Sequence, residues 1–186
     1  MQSGLTRRAF GSLAISTLML GGATTGGHAA SAAEIDADVS ATLRKLYLKV
    51  PGSRDIAIRA AGVLVFPTIV KAGFWFGGEY GEGALRIRGR TVGYFDSVSA
   101  SFGLQIGVQS RSVVIMFMTP EALQNFRRKR GWKVGVDGSV AIVTIGAGGS
   151  VDTNQINHPV IAFIFDEAGL MFNLTLEGTK ISPIYR

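Results

Sequence analysis

From residue 34 onward the chain repeats its apolar positions at a helical interval. In EIDADVSATLRKLYLKV, Ile35, Val39, Leu43, Leu46, Tyr47 and Val50 fall on one stripe, the spacing of an amphipathic helix. Glu34, Asp36 and Asp38 lie at its start, and Arg44, Lys45 and Lys49 at its end, an order that complements the helix dipole. Pro51-Gly52 stops it. Ser53 then caps a second short helix through Ala61, and Gly62 closes it. The first stripe has two open uses: it packs on the core of the domain, or it lies on a membrane surface with its basic flank.

At Val63 the period changes. Val63-Leu64-Val65-Phe66 reads as a short apolar strand ended by Pro67. Ala84–Arg88 sets Leu85 and Ile87 against Arg86 and Arg88, a half-buried strand with a wet face. Residues 101–109, 112–118, 132–145, 160–165 and 169–177 are further strand candidates, most of them separated by Gly-containing breaks. Val113–Met118 and Val160–Phe165 are apolar on both faces, so both sides are covered or one meets something greasy. Thr119 as cap, Pro120 in first position, Glu121, and Gly131 as the close mark a helix near 120–130. Few helical stretches separate the strands, which leaves little room for parallel crossovers. The pattern predicts an α+β fold: a curled antiparallel sheet or barrel-like body, an N-terminal amphipathic helix, a short helix near 120–130, and helices on one side.

Composition supports a single packed unit. The 186 residues are 47% apolar and 17% charged, which excludes disorder and suits one domain. The 25 glycines have no Gly-X-Y period, and their excess suits tight turns and close backbone contacts. No cysteine is present, which excludes disulfides, a thiolate nucleophile, Cys-ligated metal and a lipoprotein anchor.

The first 32 residues read as an address. Thr6-Arg7-Arg8-Ala9-Phe10 precedes the apolar run Leu13–Leu20, and Ala30-Ser31-Ala32 makes a small-residue cleavage site. The apolar run is too short for a bilayer span, which takes about 20 residues. The adjacent arginines resemble a twin-arginine export signal; an ordinary signal peptide containing an Arg pair is the alternative. The expected division is a signal peptide at 1–32 and one domain at 33–186, exported to the periplasm. Removing Arg7 and Arg8 takes the charge from +6 to 17 cations against 13 acids, or +4. A mildly basic protein accepts an acidic partner without requiring one.

Candidate chemistry is sparse. Residues 33–186 hold one histidine, His158, placed before Pro159 as a turn residue at a strand entrance. No metal-ligand spacing, nucleophile elbow or phosphate loop appears, so no cofactor and no metal are implied. Glu79 and Glu82 are a close acidic pair between glycines, open to acid/base work or, more ordinarily, to solvation or a backbone bond.

Two features are sharper. Arg127-Arg128-Lys129-Arg130, with Lys133 beyond, places four consecutive cations at a helix end. They either interact with the helix C-terminus or meet anionic phospholipid headgroups. Phe74-Trp75-Phe76 lies between Gly73 and Gly77. Three adjacent aromatics in a strand cannot share a face, so they are buried under a neighbour or dip into a bilayer interface. Nothing interleaves aromatic and basic residues as a nucleic-acid motif does, and no nucleic-acid partner is expected.

GGEYGEGALRIRG at 77–89, SFGLQIGVQS at 101–110 and AGLMFNLTLEGTKI at 168–181 resemble the SYLF-domain family. Val65-Phe66-Pro67, Lys71-Ala72-Gly73 and Gly131-Trp132-Lys133-Val134-Gly135 fit the same pattern, so the resemblance covers roughly 35–184. It implies a lipid-binding module with no enzyme activity. Eukaryotic members bind phosphoinositides and a fungal member also binds actin; bacterial members are exported. Their lipid contact is attributed to an N-terminal amphipathic helix with basic residues, here 34–50 with Arg44, Lys45 and Lys49. The expected function is peripheral, non-enzymatic binding to anionic phospholipid membranes. A periplasmic scaffold or stress protein with a protein partner is the alternative, and a hydrolase using Glu79 and Glu82 the weaker one.

The twin-arginine receptor reads paired guanidinium groups and not charge alone. Changing Arg7 and Arg8 together to Lys should therefore hold the protein in the cytoplasm. The intact mass of the exported form should place its first residue near Ala33. Unaffected export of the Lys-Lys variant counts against the twin-arginine route.

Overall fold

The computed structural model describes residues 30–73, 76–102, 107–145, 157–168, 176 and 178–186. Two helices, α1 (Ala32–Lys49) and α2 (Ser53–Arg59), precede four long strands: β1 (Gly62–Gly73), β2 (Phe76–Ile87), β3 (Arg90–Phe102) and β4 (Gly107–Phe117). Then come α3 (Pro120–Arg128), β5 (Trp132–Lys133), β6 (Ala141–Thr144), β7 (Val160–Ala168) and β8 (Lys180–Ile184). The strands form one curled half-barrel sheet, in the order β5-β8-β3-β2-β1-β4-β7-β6. Neighbours are antiparallel except β6 and β7, so the sheet is mixed at one edge. The α+β expectation holds.

Side-chain alternation gives the sheet two apolar faces. Leu64, Phe66, Leu85, Val113, Ile115 and Phe117 pack on one side with Leu123 and Phe126 of α3. Val63, Val65, Val114, Met116, Ile161 and Phe163 pack on the other with Ile35, Val39, Leu43 and Leu46 of α1. The doubly apolar runs are thus covered on both sides, and the helices lie on opposite faces, not on one. The α1 stripe is consumed by this packing. It serves the core, and that face is closed to a membrane.

Local boundaries differ from expectation in instructive ways. Helix α1 begins two residues before Glu34. Ser31 is its cap: the Ser31 hydroxyl accepts from Glu34 N–H at 3.3 Å, and Glu34 Oε2 accepts from Ser31 N–H at 2.7 Å. This capping box straddles the expected boundary at Ala32/Ala33, and a chain beginning at Ala33 forgoes a cap worth about 1 kcal/mol. Ser53 does not cap α2, whose cap is Gly52 at φ +83°. Its buried hydroxyl instead donates to the Val50 carbonyl at 2.7 Å, sealing the end of α1. Helix α2 stops at Arg59, and Gly62 opens β1.

Pro67 does not end the first strand. Pairing continues to Gly73, with a bulge between Val65 and Thr68. A bulge absorbs the missing N–H and bends the strand, and Ser112 donates to the freed Pro67 carbonyl at 2.7 Å. Opposite the bulge β2 comes very close: a Cβ on Gly83 would sit 2.0 Å from the Val65 carbonyl oxygen. Segment 132–145 is two short strands separated by the turn that holds Gly135. Of the candidate strand 169–177, all but Leu176 lies outside the described residues.

Asp166 pins α1 to the sheet. It adopts φ +55° on β7, a conformation that Asp tolerates better than most side chains. Its carboxylate binds Lys49 and, at 3.2 Å, Lys45. Burial pushes its pKa up, but the bonds from Lys49 and Lys45 outweigh burial and hold it below 3.8. No helix among the described residues is long and apolar enough to cross a membrane.

Two outcomes follow from this packing. Gly83→Ala should cost more than about 3 kcal/mol, because the methyl group meets backbone and not a movable side chain. Gly89→Ala, at φ +78° in open space, should cost only about 1–2 kcal/mol. Equal urea midpoints for the two variants would show that β2 can yield. Asp166, with a depressed pKa, stabilises the fold above pH 3.8, and this contribution is lost as pH falls through its native pKa. Asp166→Asn should thus lose up to about 1 kcal/mol at pH 7. Its stability should converge with that of the parent as pH falls below the native pKa of Asp166; a gap unchanged at low pH would refute the charge interaction.

Candidate functional site

The basic cluster is built by one aromatic anchor and two strand alternations. Thr119 caps α3, accepting from Ala122 N–H at 3.2 Å, and Leu123 and Phe126 bury its inner face. Arg127 and Arg128 occupy its exposed last turn. The chain leaves at Lys129 in extended conformation, and Gly131, at φ +106°, turns it into β5. Trp132 then drives inward, its ring edge-on to Phe126 at 5.7 Å and to Phe117 at 6.1 Å. With Trp132 inward, period-two alternation puts Lys133 outward.

On β8 the same rule applies. Ile181 is buried, so Lys180 faces out, directly opposite Lys133. Like charges opposite one another in a ladder are unfavourable. The Lys180 stem crosses Gly131 so closely that a Cβ there would lie 2.5 Å from Lys180 Cε. Glycine at 131 therefore serves both its positive φ and the passage of this lysine.

One acid braces the cluster from beneath. Asp137 binds Lys129 Nζ at 2.5 Å and accepts Lys133 N–H at 2.7 Å; these two bonds, the lysine first, hold its pKa below the usual carboxylate range. Its carbonyl accepts from Asn125 at 2.8 Å, tying the turn to α3. Lys129 is therefore a brace. Arg127, Arg128, Arg130, Lys133 and Lys180 are exposed, and none forms an ion pair with another described residue. Lys180 was not legible beforehand, because its partner Lys133 is remote in sequence and only the sheet order β5-β8 unites them.

The other sequence candidates disperse. Lys45 and Lys49 are held by Asp166. Arg44 lines a cleft of about 510 Å³ between α1, α2 and β2, with Arg86, Arg88 and Tyr47. Phe74 and Trp75 lie outside the described residues; Phe76 opens β2 opposite Phe102. His158 is exposed in the turn before β7, as the sequence suggests.

Glu79 and Glu82 do not converge. Three residues apart on a strand, they face opposite sides of the sheet. Glu79 is buried with Arg111 at 2.5 Å and Lys71 at 3.6 Å, a three-strand ion cluster absent from the sequence reading. Glu82 binds Arg186 and accepts the Tyr80 hydroxyl at 2.6 Å; that bond, ahead of burial, raises the Tyr80 pKa to about 12. A paired-carboxylate mechanism has no geometry here. Among the described residues, no group of three His, Cys, Asp or Glu side chains could hold a metal ion.

The family comparison falls on the same region. Residues 98–184 match the Ysc84 family, described as Las17-binding protein actin regulator. The match runs from the second half of β3 through β8 and contains the whole basic cluster, while α1, α2, β1 and β2 precede it. No curated protein matches the chain. The match covers 87 of the 186 residues and includes the motifs at 101–110 and 168–181, so over this part the chain is similar to the SYLF-domain (Ysc84) family.

Proposed function

We propose that this is an exported, non-enzymatic protein that associates peripherally with anionic phospholipid membranes from the periplasm, through the end of α3 and the β5–β8 edge. One observation carries the reading. Lys133 and Lys180 are held opposite each other, beside Arg127, Arg128 and Arg130, with Asp137 already committed to Lys129. One cation at a helix C-terminus satisfies the dipole. Five exposed cations without ion-pair partners among the described residues form a surface whose missing counter-charge is external.

A lipid surface supplies that charge in a continuous layer, and each cation near it contributes about 1 kcal/mol. The SYLF family is linked to lipid or actin-regulator binding and is not a known enzyme family. The Ysc84 description, Las17-binding protein actin regulator, names protein binding, and the same cations suit an acidic protein face. Vesicles free of protein separate the two readings.

Replacing Arg127, Arg128 and Arg130 with Gln leaves the Lys129 brace intact and keeps helix propensity nearly constant. The variant should lose about 3 kcal/mol of attraction, or roughly a hundredfold in partitioning to phosphatidylglycerol vesicles. Binding of the parent should weaken as salt shortens the Debye length below about 8 Å. The urea midpoint should barely move. Unchanged vesicle binding with a lowered midpoint would assign these arginines to the fold.

A further inference from the structure

The sheet register extends the cationic edge into an uncharged surface. Lys133 pairs with Lys180, Lys180 with Val98, Val98 with Tyr80, Tyr80 with Val70, and Val70 with Ser110. Directly opposed residues point to the same side, so these six form one row across six strands. The next row outward is Ala100, Gly78, Ala72 and Val108. Both rows lie on the α1 side of the sheet, because Trp132, Ile181 and Ile69 occupy the opposite core.

Helix α1 does not reach them. Its 18 residues span about 27 Å, against about 40 Å for the 12 residues of β1. Ile35, near the start of α1, lines a groove of about 690 Å³ together with Val70, Ala72 and Tyr80, and with the acids Asp38 and Glu82. Beyond it Val70 is 40% exposed, Val98 44%, Tyr80 50% and Val108 70%. A contiguous apolar patch of this kind marks an interaction surface.

We infer that this face is the apolar half of the lipid-docking surface: the sheet lies on an anionic bilayer with Val70, Tyr80, Val98 and Val108 against the interface and Lys133 and Lys180 at the headgroups. The inference rests on the lipid reading above and adds its orientation and its apolar contact. Charge complementarity selects the occupant. The two rows carry cations at one end and no acid, the division a headgroup layer over acyl chains requires. The side chains between are small or branched, with Gly78, Ala72 and Ala100 making a smooth floor. Tyr80 has the apolar ring and polar tip that suit a membrane interface, and its hydroxyl is already bonded to Glu82. The acids of the neighbouring row are restrained, Glu82 by Arg186 and Asp96 by burial, which raises its pKa.

Because the chain has no cysteine, a single introduced thiol carries one label. Val98→Cys and Val108→Cys, each bearing an environment-sensitive nitrobenzoxadiazole, are compared with Leu48→Cys on the outer side of α1, where Leu48 is 85% exposed. The protein is used as the cell processes it, with equimolar phosphatidylglycerol and phosphatidylcholine vesicles, and sedimentation is measured on the same samples. Emission at 98 and 108 should brighten and shift to shorter wavelength on vesicle binding, with no shift at 48. Co-sedimentation without a shift at 98 or 108 overturns this inference and leaves the lipid reading standing. Absence of co-sedimentation overturns both. A shift that grows with protein concentration in the absence of vesicles assigns the face to a second copy and overturns the inference.

Discussion

Three central strands that are apolar on both faces govern this molecule. β1, β4 and β7 present alternate side chains to two separate clusters, and a strand buried on both faces needs a cover on each. The chain supplies the covers from different segments. α1 and α2 arrive before the sheet and close one face; α3, Trp132 and Ile181 close the other. Burial of such side chains, at about 1.5–3 kcal/mol each, dominates any surface ion pair at about 0–1 kcal/mol.

The proposed lipid-docking surface is what this covering leaves over. Trp132 must enter the second core, and the next residue, Lys133, therefore remains outside with its charge. A helix of 18 residues leaves the outer part of the long strands bare on the first face. Cations and exposed valines thus come together through the register of a single sheet, with no loop needed to assemble them. The buried cluster of Lys71, Glu79 and Arg111 works in the opposite sense. It ties β1, β2 and β4 together beneath the bare region, where loss of one partner would leave a buried charge at a cost of about 3–5 kcal/mol.

Sequence alone determined the α1 stripe, the Thr119-Pro120 start of α3, the two doubly apolar strands and the resemblance to the SYLF-domain family. Each is a local pattern whose period or capping chemistry is written in adjacent residues. Tertiary structure decided the rest. Pro67 reads as a stop until β4 supplies Ser112 to its carbonyl. Glu79 and Glu82 read as a pair until pleating sends them to opposite faces. Arg127–Arg130 reads as four equivalent cations until Asp137 takes Lys129. Lys180 is invisible until β8 lies beside β5 and brings it opposite Lys133. Strand pairing joins residues far apart in the chain, and a one-residue change of register would turn every one of these side chains to the other face. Periodicity along the chain specifies which side chains share a face, whereas only the paired sheet specifies which of them meet.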